Sequence, residues 1–205
     1  MNNKIVIGIL TGWIILIFVN YYYTPPLIVA LSWILLLFIF LIMIIVHVSK
    51  LIKERRNIRK DRLRTLILIS TIFVLTIFHQ IPHRLVEKMD WYLQLNNRIQ
   101  IVEKVKKNEI IPNVTYNDWI CELPYEFPVV STCGNDIGIF KNSDLNTVTV
   151  RFFVHRGYIS YPSTYFVYTN DQKTIERIDL MIAENPKQNW ILEENWYRVV
   201  VWGSI

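Results

Sequence analysis

The 205-residue sequence predicts an α+β fold, with a three-helix transmembrane anchor followed by a small, mostly antiparallel β-sheet domain carrying one or two helices. Three observations predict it. Apolar residues make up 52% of the chain, too many for an ordinary soluble domain, and they crowd into the first 81 positions. Charge divides at the same place, with nine basic and two acidic residues up to Ile81 and thirteen basic and fifteen acidic after it. Beyond Pro112 the apolar period changes from three-to-four to two, the mark of strands.

Residues 5–22 (IVIGILTGWIILIFVNYY) form a run of 18 positions without a charge. As a helix the run reaches about 27 Å, close to a bilayer's hydrocarbon core. A signal peptide would end in small residues at a cleavage site, whereas this run ends in NYYYTPP, so it reads as an uncleaved span. Tyr21, Tyr22 and Tyr23 then fall at headgroup level, where amphipathic rings are favoured. Thr24, Pro25 and Pro26 break the helix and predict a tight hairpin into the second span, residues 27–47, which has 21 positions without a formal charge. The third span, residues 65–81, is shorter and carries Ser70, Thr71 and Thr76. Arg64 can snorkel at one end, and His79 with Gln80 can reach water at the other.

Between the second and third spans lies a basic loop, residues 50–64, in which Lys50, Lys53, Arg55, Arg56, Arg59, Lys60, Arg62 and Arg64 face only Glu54 and Asp61. Short loops rich in Lys and Arg stay in the cytoplasm, so the N-terminus is expected inside, the Tyr-rich turn outside, and everything after Ile81 outside. The expected location is a plasma (bacterial inner) membrane, with the eight cations also contacting anionic lipid. Gly8 and Gly12 form a GxxxG, which suits packing against another span of the same chain or a homo-oligomer contact.

Residues 82–205 are expected to form one extracytoplasmic α+β domain. It opens with an amphipathic helix over residues 83–109, whose apolar face is Leu85, Met89, Tyr92, Leu95, Ile99, Val102 and Val105 and which continues or kinks from the third span at Pro82. Strands are predicted at TVTVRFFVH (147–155, half-buried by its alternation), around Thr164–Tyr168 and at WYRVVVW (196–202), with weaker ones at WICEL (119–123) and IGIF (137–140). Residues 173–185 suit a short helix closed by Asn185 and Pro186.

Cys121 and Cys133 both fall on the outer side, where they can close a disulfide or remain buried thiols. His79 and His83, spaced i, i+4, supply only two ligands, which do not make a metal site. Asn113-Val114-Thr115 matches a glycosylation acceptor pattern. Asp171, Glu176, Asp179 and Glu184 read as the wet side of a helix, and His155 stands beside no nucleophile in a recognisable frame. The acidic folded half argues against nucleic acid, and spans without Asp, Glu, Lys or Arg argue against a pump or transporter.

The expectation is a membrane protein without cofactor or metal, whose outer domain binds a protein or envelope component in an immunity, assembly or sensing role. Trp190 and Trp196, bracketing Glu193, Glu194 and Asn195, are the expected exposed partner surface. The alternative is an enzyme acting on lipid or cell-wall substrates through the acidic helix or His155.

Overall fold

The computed structural model describes residues 3–23, 25–54, 60–124, 129–132, 134–142, 144–157 and 162–202. It comprises two compact units, Met1–Lys88 and Met89–Ile205. The architecture is α+β, with five helices and a six-stranded antiparallel sheet.

The first unit contains α1 (Asn3–Tyr22), α2 (Pro26–Lys53) and α3 (Lys60–Ile77), and it ends within α4 (Gln80–Lys106). α2 begins at a proline, whose missing N–H and fixed φ suit a first helical turn. It ends with Lys50 and Lys53, two cations at the partially negative end of the helix. Arg62 Nη1 meets Glu54 Oε1 at 2.5 Å and ties the end of α2 to the start of α3. The helices pack around Phe40, Ile69 and Ile72, against which Ile9, Leu10 and Trp13 of α1 are laid. Interhelical hydrogen bonds join them: Trp13 Nε1 donates to Thr76 Oγ1 at 3.2 Å, and Asn20 Nδ2 to Ser32 Oγ at 3.0 Å.

Among the described residues only one helix, Leu27–Lys53, is long and apolar enough by itself to cross a membrane. α1 contributes a shorter apolar stretch, Ile7–Tyr22, and α3 passes the same test only when joined to α4. The expected third span also ends earlier than the sequence implies. α3 stops at Ile77, and the chain bends by 78° before α4 begins at Gln80. Pro82 explains the position of this break. In a continuous helix its ring would meet the carbonyl of Phe78 and leave that carbonyl unbonded, whereas within the first turn of a new helix neither cost arises.

In the second unit, β1 (Ile120–Glu122), β2 (Asp136–Asn142), β3 (Thr147–His155), β4 (Ser163–Thr169), α5 (Gln172–Glu184), β5 (Trp190–Glu193) and β6 (Trp196–Val201) follow the rest of α4. The sheet order is β1-β2-β3-β4-β6-β5, antiparallel throughout. α4 covers one face. Trp91 packs 5.1 Å from Phe166 and 5.3 Å from Trp196, with Phe152 next to Trp196. α5 covers the other face, through Ile178 on Phe153, Tyr165, Val167, Tyr197, Val199 and Val201. Because both faces are covered, β3 is buried from Val148 to Val154 instead of half-buried, as its alternation implies.

Asparagine supplies the backbone corners. Asn108, Asn135, Asn146 and Asn195 all have positive φ, a conformation their short polar side chain tolerates. At the end of α4, Asn108 N–H donates to Val105 O and Glu109 N–H to Lys104 O, the paired closure usually built on glycine. Lys141 Nζ reaches the same end, bonding Val105 O and, at 2.6 Å, Asn108 Oδ1.

α4 corrects the sequence reading of its core face. The residues it buries include Asp90, Trp91, Gln94, Arg98, Val102 and Val105. Of the predicted apolar stripe, Leu85, Met89, Tyr92 and Ile99 are exposed.

Candidate binding surface

The buried charges of the second unit lie on opposite faces of the sheet, and they differ in kind. On the α4 face, Arg98 and Asp90 are each 2% exposed, joined Nη2 to Oδ2 at 2.5 Å. Arg98 is satisfied further by Asp90 O and by Val130 O at 3.0 Å, and its guanidinium lies 4.8 Å from the Phe166 ring centre. Val130 is itself fixed, because Asn135 Oδ1 accepts from the amides of Val130 and Ser131. This pair is structural, closing α4 onto the sheet and its neighbouring loop.

On the α5 face, Arg151 is 6% exposed and forms no ion pair or hydrogen bond with the described residues; its Nε is wholly enclosed. The guanidinium lies 4.2 Å over Phe140 and 5.9 Å from Tyr165. Phe140 in turn stacks on Trp119, ring centres 5.2 Å apart and planes at 19°. This stack requires Gly138, since a Cβ there would lie 3.0 Å from two Trp119 ring carbons. Burial, with Arg177 adding a like charge, pushes the Arg151 guanidinium down to about 10 even though the Tyr165 hydroxyl opposes the shift.

Burying a cation without a carboxylate partner costs stability, so Arg151→Met is expected to be neutral or stabilising. The check is the denaturation midpoint of the full chain, and a clear fall would show that the charge is held by a partner.

Arg177 also lines a cleft of about 320 Å³ between α5 and the end of β6, with Met181, Glu184, Asn189, Val201 and Trp202. Trp202 is 70% exposed, and Asn189 holds the floor, donating to Met181 O and accepting from Val200 N–H. Cation, carboxylate, amide and an open indole meet here, a set suited to a polar ligand with an apolar part.

Trp196 is buried at 5% in the α4-face cluster, and Trp190 is half-buried beneath Arg198, 4.6 Å from its ring centre, so the open indole at this end is Trp202. A Cβ added at Gly8 or Gly12 would meet open space among the described residues. Cys121 is a buried free thiol, raised by burial and by the nearby Asp136 and Glu122 carboxylates; Cys133 lies outside the described residues, as do Arg55, Arg56 and Arg59 of the basic loop. His79 and His83 have ring centres 6.0 Å apart and flank Trp33, but no group of three or more His, Cys, Asp or Glu among the described residues could hold a metal. The amide of Asn113 is engaged twice with the Glu122 backbone, at 3.0 and 2.8 Å.

The acidic helix and His155 do not converge. Asp171 caps α5, accepting from Thr174 N–H at 3.0 Å and Thr174 Oγ1 at 2.7 Å, and it also accepts from Thr147 at the start of β3. These hydrogen bonds hold its carboxyl below the usual range, so the cap is intact at neutral pH and is lost as pH falls through the depressed value. His155 ends the same strand, eight residues on, roughly 26 Å away.

No family model, curated protein or solved structure matches this chain.

Proposed function

We propose that the chain is a multi-pass integral membrane protein. In this reading α1, α2 and α3 cross the bilayer and hold the α+β unit outside the cytoplasm, where its α5 face binds a protein or envelope component. The observation that carries the reading is an inverted polarity in the first unit. Its interior includes Asn20, Thr65 and Thr76, while its outside exposes Ile14, Ile15, Leu31, Leu35, Phe38, Ile42, Ile67 and Val74, among others. Water would penalise that surface by roughly 25 cal/mol per Å², whereas acyl chains do not.

The interior hydroxyls suit the same solvent. Thr65 and Thr76 donate to the carbonyls of Asp61 and Ile72, four residues back, so neither hydroxyl needs water. The cations of residues 50–64 favour the cytoplasmic side for the loop between α2 and α3.

Reporter fusions after residues 23, 57 and 205 test this reading. An enzyme active only outside the cytoplasm is expected to work at the first and third positions and to fail at the second. The opposite pattern would invert the topology, and activity at all three would end the multi-pass reading.

A further inference from the structure

We infer that α4 is an interfacial helix whose outward stripe, Ile81, Leu85, Met89, Tyr92, Leu93 and Ile99, is seated in the lipid headgroup region. This inference rests on the proposed membrane anchor and extends it to a segment outside the spans.

These side chains are 51, 60, 49, 65, 69 and 39% exposed, in that order. At 100° per residue they fall within one band of the helix, opposite the face that buries Trp91, Arg98 and Val105. A helix that places a guanidinium and a carboxylate inward and leucines outward is not arranged for water on its outer side.

The occupant follows from three observations. The helix starts three residues after α3 ends, so its first turns lie where a span would leave the bilayer. The chain turns at Phe78 and His79 instead of prolonging α3. Exposed Arg84 and Lys88 border the stripe, where anionic headgroups would meet them. Towards its C-terminus the band becomes polar, through Asn96, Gln100 and Glu103, all exposed.

The test uses the full chain in a Cys121→Ser, Cys133→Ser background, reconstituted in phosphatidylethanolamine and phosphatidylglycerol vesicles. A fluorophore sensitive to its surroundings is attached singly through Leu93→Cys, Gln100→Cys or Leu35→Cys, and quenching by nitroxide lipid is compared with quenching by iodide. Leu35 of α2, 61% exposed, reports on the anchor. The expected result is several-fold stronger lipid than iodide quenching at positions 35 and 93, and the reverse at 100. Lipid quenching at 35, with position 93 open to iodide or shielded from both quenchers, overturns the inference and leaves the anchor standing. Shielding from both would mean that protein covers the stripe. If position 35 does not meet lipid, the anchor falls, and the inference that rests on it falls with it, whatever position 93 shows.

Discussion

Arg98→Met is expected to destabilise the protein by about 3–5 kcal/mol, because it removes one partner of an enclosed ion pair and leaves Asp90 charged at 2% exposure. Three attachments disappear together: the contact with Asp90 Oδ2, the bond to Asp90 O, and the bond to Val130 O that crosses from α4 to the loop before β2. Asp90→Asn should cost less, since an amide can still accept from the guanidinium while reducing the Coulombic attraction. The double variant Asp90→Leu, Arg98→Met should recover most of the loss, because no isolated charge remains. Urea titration of the detergent-solubilised full chain, followed by tryptophan emission from the Trp91 and Trp196 cluster, measures all three. If Arg98→Met shifted the transition by less than about 1 kcal/mol, the charge would have access to water and the pair would not be the closure described.

Ile178→Ala should have a comparable effect on the opposite face, about 2–5 kcal/mol. Ile178 is fully enclosed and is the buried residue of α5 in a cluster that also contains Tyr165 and Val167 of β4 and Tyr197, Val199 and Val201 of β6. Its partners on α5, Ile175, Met181 and Ile182, are only partly buried, so they cannot collapse far enough to fill the space. Because α5 also carries Arg177 and one wall of the cleft, amide exchange across residues 172–184 should quicken in the same variant. Unchanged exchange there, together with a small stability loss, would mean that α5 is held by its Asp171 cap and its connections rather than by packing.

Much of this architecture is legible in the sequence, because its signals are local. TVTVRFFVH coincides with β3, residues 173–185 nearly coincide with α5, and even the weak runs WICEL and IGIF mark β1 and β2. β5 is missed because it is only four residues long, two half-buried and two exposed, at a sheet edge; Trp190 and Trp196 therefore read as the sides of a turn when they begin two paired strands.

The misreading of α4 has a different cause. Both of its sides carry apolar residues, and periodicity cannot say which side meets a sheet when the other meets a different solvent. Asp90 and Arg98, eight residues apart, look like ordinary solvated charges until Phe152, Phe166 and Val130 close around them. Arg151 is hidden similarly: alternation assigns it to the wet side of β3, and only the α5 layer encloses it. The cleft joins α5 to the far end of β6, and no sequence spacing encodes that meeting.

The strand order has a consequence for assembly. Every sheet neighbour from β1 to β4 is also the next strand in the chain, so each pair can form as soon as its second arm is available. Only the pairing of β4 with β6 must wait, until α5 and β5 have been made. A chain emerging N-terminus first would thus carry a growing meander whose β4 edge remains unpaired until β6 has been made, which makes that strand the point where a stalled or truncated product would aggregate.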